Sequence, residues 1–197
     1  MVKLNKIYTR TGDGGTTGLV DGSRIAKSAP LMAAIGDVDE ANGAIGLAVA
    51  ALTAGGAGDG DHAPMLARIQ NELFDLGADL ATPPDDALGF GPHDMALRVV
   101  PAQIARLEDE IDAMNGDLDP LRSFILPGGT EAAARLHLAR SVVRRAERAA
   151  VAAGAERDLN PLALHYLNRL SDHLFVMTRH INRRAGGDIL WKPGATR

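Results

Sequence analysis

Five arginines fall between residues 135 and 148 against one acidic residue, Glu147, in a chain whose formal net charge is -4. In RLHLARSVVRRAERA, Arg140, Arg144 and Glu147 stand at i, i+4 and i+7. On a helix that spacing gathers them within an arc of roughly 60°. The arc borders an apolar stripe of Leu136, Ala139, Val143, Ala146 and Ala150. Guanidinium forks bind phosphate oxygens two at a time. A solvated face with i,i+4 support produces the same pattern, so these residues alone leave both readings open. A second candidate lies near the N-terminus, where TRTGDGGTTG (9–18) holds four glycines and four threonines in ten residues. Glycines let backbone N–H groups approach an anion, and threonines add hydroxyl donors. No Gly-Lys-Ser/Thr follows and no βαβ pattern surrounds it, so it is neither a Walker A loop nor a dinucleotide fingerprint. The alternative is a loose terminal segment. Lys27 adds a point charge for a phosphate or decorates the first helix.

Polar residues also interrupt apolar stripes. Asp39 lies beside the stripe of the first predicted helix and Asn42 nearly within it. Asn168, Ser171, Asp172 and Thr178 border Leu164, Leu167, Leu170, Leu174 and Ile181 in the last. Each needs a partner if buried, either an interhelical hydrogen bond or an arginine across the bundle. Six histidines are present, with His173 and His180 on one helix. No H-E-x-x-H or E-x-x-H pair occurs, which disfavours a di-iron bundle. Cysteine is absent, which removes disulfides, thiolate zinc, iron–sulfur clusters and thiol nucleophiles. No G-x-S-x-G is present.

The elements that must position these groups are helical. Apolar residues recur at helical spacing over 26–54 (Leu31, Ile35, Val38, Ile45, Val49, Leu52), from Pro64 through Leu80, and over 93–114, with Leu97, Ile104, Leu107 and Ile111 inward. Thr130 is a good N-cap for a fourth helix ending at Gly154. Asn160-Pro161 opens a fifth that runs to about Arg184. GGAGDGD (55–61), TPPDDALGFGP (82–92) and SFILPGG (123–129) separate them, and no strand pattern is convincing. Aromatics make up only 4% of the chain, so Ala, Leu, Ile and Val must build the core, which suits close helix packing. The expectation is an all-α, five-helix up-and-down bundle. Residues 1–197 form one domain, with a flexible Gly-rich arm (1–24), a bundle (25–185) and a tail (186–197). No basic excess points to nucleic acid and no apolar run reaches the length of a membrane span. MVKLNKIYTR lacks an apolar signal-peptide core, and a cysteine-free chain fits the cytoplasm.

Several ordered motifs together carry a resemblance: KIYTRTGDGGTTGL (6–19), Lys27, GDVDEANGAIGLA (36–48), FILPGG (124–129), ARSVVRRAER (139–148) and YLNRLSDHLFVMTRHIN (166–182). The sequence resembles the PduO-type ATP:cob(I)alamin adenosyltransferases over nearly its whole length. Asp37 and Ala41 stand where Thr-like and Leu residues are expected, and His173 where an aliphatic is usual. The resemblance implies a ferritin-like helical bundle forming a homotrimer with intersubunit sites. It implies transfer of the 5'-deoxyadenosyl group of ATP to cob(I)alamin, with Mg²⁺ and release of triphosphate. By the same resemblance, Thr9, Arg10, Thr11, Gly12, Thr17 and Gly18 wrap the nucleotide, and Lys27, Arg144, Arg145 and Arg148 hold the triphosphate. Glu147 and Asn168 orient the nucleotide, and Asp39 pairs with Arg140 across subunits beneath the corrin. Phe124 displaces the lower ligand of cobalt. Implied partners are a cob(II)alamin reductase and an adenosylcobalamin-dependent enzyme. A non-catalytic adenosylcobalamin carrier and a purely structural bundle with solvated arginines are the competing classes.

Overall fold

The computed structural model describes residues 7–54, 61–91 and 96–197. A two-stranded antiparallel hairpin, β1 (Thr16–Gly18) and β2 (Arg24–Ala26), precedes five helices: α1 (Pro30–Ala54), α2 (His62–Leu80), α3 (Pro101–Asn115), α4 (Glu131–Gly154) and α5 (Pro161–Asn182). A single 3₁₀ turn, Arg183–Ala185, follows α5. Paired contacts set the directions. Arg68 meets Glu110 and Arg106 meets Glu72, so α2 and α3 are antiparallel; Glu108, Glu110 and Asp117 meet Arg169, His173 and His180 in order, so α3 and α5 run the same way; Glu147 meets Asn168 and Arg140 meets Phe175, so α4 runs against α5.

The tightest seam is between α1 and α4. Ala34, Ala41 and Ala48 of α1, and Ala139, Ala146 and Ala150 of α4, are all fully buried. Small side chains let the two backbones approach closely, which is how a chain with few aromatics still closes a core. Each helix start has a local cause. Thr130 accepts the Ala133 N–H at 3.2 Å to open α4, and Asn160 accepts the Leu162 N–H at 3.1 Å before Pro161 opens α5.

Three expectations are corrected. The strand pattern is real: Asp21-Gly22 turns the hairpin, with Gly22 at φ 81° and Ser23 held by Asp21 Oδ1. The first helix therefore begins at Pro30, not near residue 26. The third begins at Pro101. Residues 96–100 are not helical, because Val100 precedes proline and takes an extended backbone. The neighbouring Val99 N–H is also committed to Asp79 Oδ2 at 2.8 Å. Leu97, expected inward, is 56% exposed. The expected helix start at His93, most of the 55–61 break and the first six residues of the arm lie outside the described residues.

The outer helix α3 is fastened to α2 and α5 by apolar contacts at Leu107 and Met114 and by a polar network. Arg106 pairs with Glu72 and Arg68 with Glu110. The Tyr166 hydroxyl donates to Glu72 Oε2 at 2.6 Å, and His173 Nε2 lies 2.8 Å from Glu110 Oε2. Burial, then the Glu72 charge, push the Tyr166 hydroxyl well above its ordinary pKa. Burial works to raise the Glu110 pKa, but the His173 hydrogen bond and the surrounding cations outweigh it and hold Glu110 low.

Candidate active site

One face of α4 forms a ridge of cations. Arg140 is half-buried, with its guanidinium 5.4 Å from the centroid of the Phe175 ring. Burial, then the neighbouring Arg144 charge, lower its pKa, and Asp172 works in the opposite sense. Arg144 is exposed, and Arg148 donates to its carbonyl at 3.0 Å. Among the described residues, no ion pair includes Arg140, Arg144 or Arg148. Asn168 of α5 donates to Glu147 Oε1 at 2.9 Å, so the expected nucleotide-orienting pair is assembled beside this ridge. Arg145 is different. It sits one position around the helix, donates to Asp37 Oδ1 at 3.0 Å and pairs with Glu40. Its guanidinium fastens α4 to α1.

The glycine-rich arm is organised by the hairpin. Arg24 of β2 donates to the Thr11 carbonyl at 2.8 Å and to the Thr16 hydroxyl at 2.7 Å. Lys27 N–H donates to the Gly15 carbonyl at 2.9 Å. These bonds fold residues 10–15 back so that the Lys27 ammonium lies against Gly12, where a Cβ would come within 3.1 Å of Nζ. Arg10 has a positive φ of 62° and lies 5.8 Å from the Tyr8 ring. Thr9 and Thr11 share a hydroxyl hydrogen bond, and Thr17 and Gly18 belong to β1. Thr9, Arg10, Thr11 and Lys27 are all exposed. The arm therefore presents a cation, glycine N–H groups and threonine hydroxyls to solvent, and among the described residues no hydrogen bond or ion pair ties it to the α4 ridge of its own chain.

Two apolar features accompany these polar ones. Between α1 and α2 lies a cleft of about 430 Å³ lined by Met32, Ile35, Leu73 and Phe74, with the Asp39 carboxylate at its edge. Asp39 is exposed, and no ion pair within the chain joins it to Arg140. The second feature is a short ribbon at the other end of the bundle. Trp191 N–H donates to the Phe124 carbonyl at 2.8 Å, Leu126 N–H to the Ile189 carbonyl at 2.7 Å, and Ser123 Oγ to the Trp191 carbonyl at 2.8 Å. With Ile125 paired to Leu190 between them, Phe124, Leu126, Ile189 and Trp191 share one side of the ribbon. All four are exposed, Phe124 by 77%, and the Phe124 and Trp191 rings meet edge to face at 6.0 Å. Four large apolar side chains are thus presented together on one side of the ribbon. Sequence reasoning found Phe124 but left Trp191 in an irregular tail. The alternation Ile189, Trp191 after Gly186-Gly187 is the signal that marks it.

Among the described residues, no cluster of three or more His, Asp or Glu side chains gathers into a metal cage. The site thus offers separated cations, one carboxylate–amide pair and an aromatic platform. That arrangement suits binding and positioning more than acid–base chemistry.

Comparison with known proteins gives the same direction. The family profile described as cobalamin adenosyltransferase matches residues 7–181. The corrinoid adenosyltransferase of Mycobacterium tuberculosis is 49% identical over 198 residues, covering 100% of this chain and 97% of that protein. The corrinoid adenosyltransferase of Bacillus subtilis is 41% identical, covering 96% of this chain and 94% of that one. Among solved structures, a variant PduO-type ATP:corrinoid adenosyltransferase from Lactobacillus reuteri, complexed with cobalamin and ATP, superposes with a TM-score of 0.84. It is 36% identical and covers 95% of this chain and 99% of that one.

Proposed function

The chain belongs to the cobalamin adenosyltransferase family, and we propose that its arginine ridge and its aromatic ribbon divide one reaction between them. The protein transfers the 5'-deoxyadenosyl group of ATP to cob(I)alamin. Co(I) donates an electron pair to C5', the C5'–O bond breaks, and triphosphate leaves as adenosylcobalamin forms. Co(I) is so strong a nucleophile that no side chain need act as a general base. The protein's work is to make Co(I) accessible and to place C5' in line with it, and positioning of this kind supplies ~7–11 kcal/mol.

In this reading Arg144 and Arg148 hold the triphosphate from the α4 ridge, and the charge they neutralise grows as the C5'–O bond breaks. Lys27 and the loop from Thr9 through Gly18 close over the nucleotide from the hairpin. Glu147 and Asn168 orient the adenosine, and Arg145 keeps α1 seated against α4 beneath the ridge. Phe124 and Trp191 form the wedge that takes the place of cobalt's lower ligand and excludes water, which otherwise ligates cobalt or protonates Co(I). Were Mg²⁺ to accompany ATP, the Glu147 carboxylate on this ridge would be available to help hold it, and the ion would supply charge neutralisation of the leaving group.

Among the described residues neither Asp39 nor Arg140 has an ion partner, and no hydrogen bond or ion pair joins the arm to the α4 ridge of its own chain. Both facts support a homotrimer whose sites form between subunits, with Asp39 of one copy meeting Arg140 of the next. No helix among the described residues is long and apolar enough to cross a membrane. We place the protein in the cytoplasm, supplied by a cob(II)alamin reductase and serving an adenosylcobalamin-dependent enzyme. The observation that carries the reading is the open cation ridge and the exposed aromatic ribbon on one rigid bundle. The test is to mix protein, ATP, Mg²⁺ and chemically reduced cobalamin without oxygen and follow the absorbance change to adenosylcobalamin. Failure to convert overturns it, and cofactor binding without turnover identifies a carrier instead.

A further inference from the structure

Phe124 and Trp191 belong to segments distant in sequence, and one residue holds both segments in place. Asn182, the last residue of α5, is 2% exposed. Its side-chain Nδ2 donates to the Gly128 carbonyl at 3.0 Å, and its Oδ1 accepts the Thr130 N–H at 3.0 Å. Its backbone carbonyl accepts the Gly187 N–H at 2.9 Å. The first two bonds fix the turn that follows the Phe124 strand and leads into the N-cap of α4. The third fixes the start of the segment that returns as the Trp191 strand. Both arms of the ribbon are thus held at one buried residue, the Phe124 arm by its side-chain amide and the Trp191 arm by its backbone carbonyl.

The fit tolerates little change. Gly129 has φ 102°, a conformation that other residues rarely adopt, and a Cβ there would land on the Asn182 amide. Only a side chain with a donor and an acceptor at fixed separation satisfies both Gly128 and Thr130. Aspartate keeps the shape and the acceptor but loses the donor. One turn earlier, Arg179 donates to Asp188 Oδ2 at 3.0 Å and to the Asp119 carbonyl at 2.7 Å, so the outer ends of the same two segments are braced as well.

We propose that Asn182 is a positioning residue for removal of cobalt's lower ligand: it sets the height of the Phe124–Trp191 pair relative to the cations of α4 without touching either substrate. This rests on the reading of the ribbon as the wedge. The experiment compares wild type with Asn182→Asp and Gly129→Ala, which disturb the same amide from its two sides. Three quantities are measured on the folded proteins. They are the fraction of bound cob(II)alamin that has lost its lower nitrogen ligand in the presence of ATP, read by electron paramagnetic resonance, together with kcat and the KM for ATP. Expected is a clear fall in that fraction for both variants, with kcat down about tenfold, the scale of one lost buried hydrogen bond. The KM for ATP stays at the wild-type value. A variant that melts earlier yet keeps the wild-type fraction and kcat overturns the proposal, since Asn182 is then only structural. If Asn182→Asp does not fold, Gly129→Ala decides by the same readouts. If wild type itself leaves the nitrogen on cobalt, the wedge reading falls and the proposal with it. That result is distinct from a failure confined to the variants.

Discussion

Arg144 and Arg145 are adjacent in sequence and carry the same charge, yet the structure gives them different work, and replacing each by alanine should separate the two. Arg145 bridges Asp37 and Glu40 of α1, and its side chain is 42% exposed. Exposed pairs of this kind are weak, and two of them together correspond to a loss of roughly 2–4 °C in melting temperature for a chain of this size. Because the pairs are solvent-screened, the deficit of Arg145→Ala should shrink at ~1 M salt, where the Debye length is only ~3 Å. Among the described residues Arg144 makes no ion pair, so Arg144→Ala should melt within about a degree or two of wild type. Its loss should appear on nucleotide binding. One charge-assisted hydrogen bond is worth ~1.5–3 kcal/mol, which weakens ATP binding roughly ten- to hundredfold. Calorimetric titration with Mg²⁺-ATP and thermal melts at low and high salt read both quantities on the same preparations. If Arg145→Ala weakens ATP as severely as Arg144→Ala while its melting temperature stays unchanged, the division of labour drawn from the α1–α4 contacts is wrong.

Three further outcomes follow from particular contacts. Asp39→Ala and Arg140→Ala should each reduce turnover, and the double variant should be little worse than either single one, because on the proposed assembly both would remove one intersubunit interaction; full additivity in kcat/KM rejects the pair. Tyr166→Phe deletes the 2.6 Å bond to Glu72 in a buried network. It should cost about 1.5–3 kcal/mol, or roughly 3–12 °C in melting temperature, and an unchanged melt refutes the importance of that bond. His137 is buried with neither ring nitrogen hydrogen-bonded, and burial, then the Arg140 charge, hold its pKa below the ordinary 6.5. The unfolded chain then binds the proton more readily. Stability is complete above about pH 6.5 and declines as pH falls below it, and His137→Leu should lose less stability in urea between pH ~7.5 and ~5.5 than wild type does.

The sequence was most legible where a single local rule decides the outcome. The α4 stripe of Leu136, Ala139, Val143, Ala146 and Ala150 is fully buried as its period requires. The Thr130 and Asn160 caps both form. Failures arose where tertiary partners override the period. Leu97 fits a helical face, but Asp79 is bonded to both Arg98 and the Val99 N–H, and Pro101 restricts Val100. The segment is therefore pulled straight across the end of α2. Asp21-Gly22 is a strong turn signal, and three-residue strands are too short to announce themselves by alternation. Within the candidate site, periodicity grouped Arg140, Arg144 and Glu147. It could not reveal that Arg145 has acidic partners more than a hundred residues away, because spacing within a helix says nothing about which neighbour it meets. Trp191 and Asn182 were missed for the same reason. Their roles arise only when the end of α5 closes on the turn before α4.

That closure also explains why a reaction that needs no general base still needs a rigid fold. The aromatic ribbon enters α4 through Gly128, Gly129 and the Thr130 cap, while Arg144 and Arg148, the proposed triphosphate ligands, stand farther along the same helix. At ~1.5 Å per residue, the axial distance from Thr130 to Arg144 is about 21 Å. Any bend or slip of α4 changes the separation between cobalt and C5', and a misplacement of ~1 Å suffices to cost catalysis on the order of a hundredfold. Packing of its buried alanines against α1, with Arg145 bridging Asp37 and Glu40, holds α4 against bending. The ribbon is tied to the start of α4 through Asn182, which bonds Gly128 and Thr130, while the hairpin arm leads into α1, the helix α4 packs against. Rigidity in the rod and compliance in its attachments are therefore complementary demands of one chemical step, in which a corrinoid and a nucleotide must be gripped separately and brought into line.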